Sequence, residues 1–497
     1  DVNNVYKYTS KGNLVAVITN GTAVLGLGDI GPEASKPVME GKALLFKIFA
    51  DIDVFDIEVD TKDIDAFVAT VKNIAPTFGG INLEDIKAPE SFEIERRLVE
   101  ELNIPVMHDD QHGTAIISSA ALLNALELAK KKIEKVKIVV SGAGSAALAC
   151  ANLYILLGVK PENIIMFDKE GVLSSDRTDL SELQKRYSHG CKNTTLKEAL
   201  SGADLFLGLS AGNILSPDML LGMAKDPIVF AMANPIPEID YHLAISTRDD
   251  IIMATGRSDN PNQVNNVLGF PYIFRGALDV RATKINEAMK MAAVKALAAL
   301  AKESVPEQVN IAYGETKLIF GRDYIIPKPF DPRLITTVAP AVARAAMESG
   351  VALNPILDWQ KYEEELLDRL GSDNKMVRLL ANRAKTDPKR VVFAEADHLD
   401  VLKAAQIAFE DNIAFPILLG NKEIILELKE EIGFFAEVPI YDPKTKEEDK
   451  RRNEYAEIFW NSRQRRGISL LDSQKWMRER NYFAAMMVNQ GHADAMV

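Results

Sequence analysis

GGINLEDIKAPESFEIERRLVEELNIPVMHDDQHGT, residues 79–114, has the pattern of a strand, a helix and a second strand. Ile81 leads into the acidic pair Glu84–Asp85, and Ile94, Leu98 and Leu102 then recur four apart on one helical face. Ile104 to Met107 is a short apolar run ending in a second acidic pair, Asp109–Asp110. With the two strands parallel, both acidic pairs emerge at the same carboxyl edge of a sheet, where open α/β folds place their ligands. Clustered carboxylates repel one another and call for a cation, and an all-oxygen donor set suits Mg²⁺ or Mn²⁺ rather than zinc. The competing reading is a pair of acidic turn caps on a solvated loop.

The 497 residues suggest two to four domains with ample core. A hydrophobic fraction of 47% and a charged fraction of 26% are those of a soluble globular protein. Net charge is −13 and the pI about 5.2, with no basic run, so a nucleic-acid partner is not expected. Cys150 and Cys191 allow neither a disulfide framework nor a cysteine metal cluster. The most apolar helical run, Ala288 to Ala301, carries Lys290 and Lys295 and is too short to span a bilayer. No signal peptide is visible at Asp1, so a cytoplasmic location is expected, and the start without Met suggests further residues upstream.

In the first segment, residues 1–130, Leu14 to Ile18 reads as a strand, Asn20–Gly21 as a turn and Thr22 to Leu25 as a second strand, predicting a hairpin. Gly26, Gly28 and Gly31 formally match G-x-G-x-x-G, but Pro32 and Pro37 are expected to interrupt the helix that a dinucleotide site needs. A tight loop beside a site is the better reading. Lys42 opens the apolar run Ala43 to Phe49 and is a candidate general base, since burial lowers an amine pKa. The bland alternative is a surface lysine. Thr114 to Leu128 reads as a buried helix, and residues 130–135 form a polar boundary.

The second segment, residues 131–355, begins with the strand Val136 to Val140. Gly142, Ala143, Gly144, Ser145 and Ala146 follow, then Ala147, and a helix to Leu157, giving G-x-G-x-x-A between strand and helix. That is the setting of a dinucleotide fingerprint, with the pyrophosphate on the helix N-terminus. The next strand, Asn163 to Phe167, ends in Asp168, where the acid that meets the adenine ribose is expected. Asp168 alone favours NAD, whereas Lys169, Arg177, Lys185 and Arg186 offer partners for the 2′-phosphate of NADP. Asn234, between a buried run and Pro235, and Asn266, after Asn265, are candidate polar groups at the sheet's carboxyl edge.

These stretches resemble malic enzymes, in particular the large bacterial kind fused to a phosphotransacetylase-like domain. The resemblance rests on NGTAVLGLGDIG at 20–31, KPVMEGKALLFK at 36–47, GGINLEDIKAPE at 79–90, HDDQHGTA at 108–115, VVSGAGSAA at 139–147, ANPIPE at 233–238 and GRSDNPNQVNNVLGFPYIFRGALD at 256–279. It implies an α/β fold with a malic-enzyme N-terminal domain and a Rossmann-type NAD(P)-binding domain. It also implies oxidative decarboxylation of malate to pyruvate and CO₂ with reduction of a nicotinamide cofactor, NADP by preference. By the same resemblance Lys42 is the base for the C2 hydroxyl and Asp109 its partner. Glu84, Asp85 and Asp110 hold Mg²⁺ or Mn²⁺, Gly142 to Ala146 bind the pyrophosphate, and Asn234 and Asn266 lie near nicotinamide and substrate. The family's proton donor, a tyrosine in a Tyr-Ser-Pro-Gly-type motif, is expected upstream of Asp1, and Tyr6 and Tyr8 do not match it.

The third segment, residues 356–497, opens with a charged helix, Asp358 to Leu370, that reads as a connector. A strand at 390–393, a helix at 400–409 and a strand at 414–419 are again α/β and resemble part of a phosphotransacetylase domain. AEADHLD at 394–400 stands where that family has a PEGE-type stretch, with Asp400 at its usual arginine position, so acetyl transfer is not expected. A regulatory role sensing acetyl-CoA, or a role in a homo-oligomer, is expected instead. The competing functions are a metal-independent Rossmann dehydrogenase and a catalytically impaired scaffold that binds nucleotide without turnover.

Overall fold

The computed structural model describes all residues except 189–193, 316–317 and 371–374, and the side chains of 375–379 and 382. Cys191 lies outside the described residues. Two compact units are formed, Asp1–Leu370 and Gly371–Val497.

The first unit carries two sheets. Strands β1 (Leu14–Thr19), β2 (Asp53–Glu58), β3 (Gly80–Leu83) and β4 (Val106–His108) form a parallel sheet of order β2-β1-β3-β4. Every residue of β1 is buried, as befits a central parallel strand covered on both faces. Val15 and Val17 pack with Phe46 and Met107, while Leu14, Ala16 and Ile18 face Phe67, Val71 and Leu98. The chain order reverses between β1 and β3, so the ligand crevice belongs at the carboxyl ends of those strands.

The hairpin expected over 14–25 does not form. Both edges of β1 are taken by β2 and β3 in parallel register, leaving no place for an antiparallel neighbour. Residues 20–31 fold instead as a loop over β3. The Ala23 N–H bonds to the Asp85 carbonyl at 2.9 Å, and the N–H groups of Ile30 and Gly31 bond to the Gly21 carbonyl at 3.1 Å. The helix that the two prolines were expected to interrupt runs from Pro32 to Ala50. Pro32 sits at its first turn, where a missing N–H costs nothing, and Pro37 removes one bond from a helix held by its buried face of Met39, Phe46 and Phe49.

The second sheet has the order β10-β9-β8-β5-β6-β7, with β5 (Ile138–Ser141), β6 (Ile164–Asp168), β7 (Gly171–Val172), β8 (Leu205–Gly208), β9 (Ile228–Ala231) and β10 (Ile252–Thr255). Only the edge strand β7 is antiparallel. This is the doubly wound Rossmann order with its switch point between β5 and β8. One hydrophobic core runs from β1 to β9 through the helix Asp109–Leu128, which is buried nearly all round. The helix Trp359–Arg369, read as a connector, packs Tyr362 and Leu366 into that same core.

In the second unit, β11 (Lys389–Phe393), β12 (Ala414–Leu419), β13 (Ile440–Tyr441) and β14 (Ala495–Met496) form a parallel sheet of order β13-β12-β11-β14. Helices Leu399–Glu410 and Asp449–Arg463 carry buried residues into its two separate apolar clusters. Among the described residues no helix is long and apolar enough to cross a membrane.

Candidate active site

The acidic pairs meet as the strand–helix–strand reading requires. Glu84 and Asp85 follow β3, and Asp109 and Asp110 form the first turn of the helix that starts directly after β4. Glu84, Asp85 and Asp110 each bring one carboxylate oxygen within 4.8 Å of the others. Asp110 Oδ2 also accepts the Asp85 N–H at 2.8 Å, and Asp85 adopts a left-handed φ of +54° to present it. Asn82 Nδ2 donates to Glu84 Oε2 at 2.8 Å.

Lys42 is a buried residue in the middle of its helix, not at the mouth. Its ammonium donates to Glu84 Oε1 at 3.0 Å and to Asp109 Oδ2, and lies 3.9 Å from the centroid of the Phe270 ring. Burial alone lowers the lysine pKa, as expected from the sequence, but the Asp109 and Glu84 carboxylates outweigh it and the net direction is up. The two carboxylates thus favour the ammonium form of Lys42.

Burial pushes Glu84 well up, against the pull of Lys42 and with Asp110 adding to the rise. Burial and then Asp110 push Asp85 up to about 8. Asp85 Oδ2 is buried and has no hydrogen-bond partner among the described residues. An orphaned carboxylate oxygen inside a set of three mutually repelling carboxylates fits a hard divalent cation of the Mg²⁺ or Mn²⁺ type.

The dinucleotide motif sits where the sequence puts it. Gly142 follows β5 with a φ of +117°, and a Cβ there would stand 2.5 Å from the Leu209 carbonyl oxygen. Ala143 and Gly144 lead into the helix Ser145–Leu157, whose first turn contains Ser145 and Ala146. Asp168 ends β6, and its carboxylate is held by Arg177 through two bonds of 2.8 Å. Asn234 is exposed at the carboxyl end of β9. Asn266 joins the two halves: its Nδ2 donates to Asp109 Oδ2 at 3.2 Å and its Oδ1 accepts from Thr114 Oγ1 at 3.0 Å.

Sequence reading passed over four contributors. Asn82 and Phe270 touch Glu84 and Lys42 as above. Gly113 has no room for a side chain, since a Cβ would fall 2.2 Å from Asp109 Oδ1. Its spacing of four from Asp109 on one helix face was the available signal. Glu238 is fully buried and accepts the N–H groups of Ser210 at 3.2 Å and Ala233 at 3.1 Å, tying together the loops that follow β8 and β9. Tyr6 lies under the Arg281 guanidinium at 3.9 Å. It also neighbours Lys11, which bonds to the Phe78 carbonyl before β3, at the sheet edge opposite the acidic cluster.

Residues 2–99 match the malic enzyme N-terminal domain, 111–315 the malic enzyme NAD binding domain and 375–497 the phosphate acetyl/butaryl transferase family. The chain is 50% identical over 497 residues to an NADP-dependent malic enzyme of Rhizobium meliloti (strain 1021), covering 99% of this chain and 65% of that protein. It thus spans just under two thirds of the length of that relative. An NADP-dependent malic enzyme of Halomonas elongata is 58% identical over 355 residues, 71% of this chain and 84% of its own length. The crystal structure of malic enzyme from Pyrococcus horikoshii Ot3 superposes with a TM-score of 0.67 at 43% identity, over 74% of this chain and 84% of that one. With the two domain matches in order across the sheets that carry the acidic cluster and the glycine motif, the chain belongs to the malic enzyme family.

Proposed function

We propose that this chain catalyses the divalent-metal-dependent oxidative decarboxylation of malate to pyruvate and CO₂, with reduction of NADP. The observation that carries the reading is the placement of Lys42 against both Asp109 and Glu84, beside the Glu84–Asp85–Asp110 cluster and one residue, Asn266, from the dinucleotide half. Glu84, Asp85 and Asp110 are the residues that hold the cation, Mg²⁺ or Mn²⁺. When bound, that cation supplies Lewis-acid polarisation of the substrate 2-oxygen. Lys42 Nζ takes the C2 hydroxyl proton after passing one of its own to Asp109 Oδ2, its hydrogen-bond partner. Bound NADP would supply the hydride acceptor for the C2 hydrogen, and loss of CO₂ from the β-carboxylate would leave its electron pair as an enolate, which takes up a proton at C3 to give pyruvate. Gly142, Ala143, Gly144, Ser145 and Ala146 hold the pyrophosphate, Asp168 and Arg177 flank the adenine ribose, and Asn234 and Asn266 face nicotinamide and substrate.

The test is malate-dependent NADP reduction with Mn²⁺ and with a chelator. Turnover that vanishes on chelation supports the reading, whereas turnover indifferent to chelator identifies a metal-independent dehydrogenase. The second unit is proposed to be regulatory or to join copies in a homo-oligomer, with acetyl-CoA as effector, in a cytoplasmic enzyme. It matches the transferase family, yet Asp397 in its first strand–helix loop is held by Arg480, and Asp400 stands in the first helical turn where the resemblance expects arginine. An acetyl-CoA titration that changes neither malate turnover nor assembly rules this role out.

A further inference from the structure

Glu95 lies in a helix rich in charge, EIERRLVEE, where a carboxylate is ordinarily solvated. The fold makes it something else. Its side chain is only 13% exposed, and its carboxylate accepts the backbone N–H of His108 at 2.8 Å and faces His112 Nε2 at 3.0 Å. On the other side of the ring, His112 Nδ1 lies 3.1 Å from Nζ of Lys290, a buried lysine that also donates to Glu287 Oε1 at 2.9 Å.

An ammonium has donors and no acceptor, so Nδ1 must be the accepting nitrogen and Nε2 must carry the hydrogen given to Glu95. The donors therefore run one way, from Lys290 through His112 to Glu95. Residues 108 and 112 bracket Asp109 and Asp110, so a single carboxylate grips both ends of the turn that presents the acidic pair. Three elements meet in this brace: helix Glu90–Glu101, the first turn of helix Asp109–Leu128 and helix Glu287–Leu300.

We propose that Glu95, fixed by His112 and Lys290, is a positioning residue that aims Asp110 at Glu84 and Asp85 and so sets the affinity for the divalent cation. The inference rests on the metal-dependent reading above. It touches neither substrate nor cation, and acts through the backbone of the 108–112 turn.

The direction of the donors supplies the test. In Glu95→Gln the amide oxygen can still accept the His108 N–H, but the amide NH₂ meets the Nε2 hydrogen of His112. Turning the tautomer round only moves the clash to Lys290. Removing the ammonium as well, in Glu95→Gln/Lys290→Met, lets the ring accept from the amide and relieves the conflict. Mn²⁺ affinity is read directly from the free-ion electron paramagnetic resonance signal, without turnover, and folding from the thermal melt of the metal-free protein. We expect Glu95→Gln to weaken Mn²⁺ about tenfold, the scale seen when partners of metal ligands are lost, and the double variant to recover most of it. A general structural brace would give the opposite order, with the double variant worse. Glu95→Asp, which keeps the charge and shortens the reach, serves as the second variant if Glu95→Gln does not fold. Unchanged Mn²⁺ affinity in a folded Glu95 variant, or no recovery in the double variant, overturns the proposal. An unsubstituted protein that binds no Mn²⁺ overturns the functional reading itself.

Discussion

In the proposed reaction Lys42 is the residue on which the chemistry turns. Its ammonium is shared between the buried carboxylates of Glu84 and Asp109 and capped by the Phe270 ring. Lys42→Met is expected to cut kcat by at least about 100-fold, the usual contribution of a general base, while leaving NADP affinity unchanged in a fluorescence titration. A similar loss in nucleotide binding would place the lysine in a structural role instead. Arg177 is the second residue with a predictable effect. Its guanidinium is bound to Asp168 and also pairs with Asp179, so it offsets the Asp168 carboxylate's repulsion of a 2′-phosphate and sets a guanidinium beside it. Arg177→Gln is expected to lower the ratio of kcat/KM for NADP to that for NAD about tenfold or more. An unchanged ratio would show that the phosphate lies elsewhere.

At the scale of elements, the turn between helix and strand at 248–250 has a pH-dependent stability. Arg248 donates to the Leu220, Met223 and Ala224 carbonyls and is held by Asp250 through bonds of 2.8 and 2.7 Å. The Arg248 hydrogen bonds hold the Asp250 carboxyl down at about 2, below its ordinary 3.8. A depressed folded pKa stabilises above the unfolded value. The contribution is therefore complete above about pH 4 and lost as pH falls through about 2. It amounts to ~1 kcal/mol after solvent screening is allowed for. Asp250→Asn should lose that stability at pH 7 in urea melts, and its difference from the unsubstituted chain should shrink toward pH 2. A difference that stays constant with pH would mean that packing, not charge, holds the turn.

For the whole molecule, the acidic cluster and the dinucleotide motif lie in one unit, while residues 371–497 form another. Ligand binding stabilises only the unit that binds. Mn²⁺ at about 100 times its Kd should raise the stability of the first unit by about 2.7 kcal/mol, and chelator should reverse it. Two-transition calorimetry should show the shift in one transition alone. A shift in both transitions would mean that the units melt together.

The parallel α/β character, the dinucleotide motif and the members of the acidic cluster were legible in the residues alone. Each of these rests on local pattern: apolar runs of strand length, a glycine motif between strand and helix, and acids at strand ends. Glu84, Asp85, Asp109 and Asp110 could be read because a strand–helix–strand unit fixes which ends face the same way. The 14–25 hairpin was misread because turn chemistry is local, whereas the occupancy of both β1 edges by β2 and β3 is not. The rising pKa of Lys42 was equally out of reach, since it depends on carboxylates 42 and 67 residues away in the chain. Folding in three dimensions settles these points, and it also sets the Glu95 carboxylate against both His108 and His112. Electrostatic environment and strand neighbours are set by distance in space, and sequence spacing fixes that distance only within a single element.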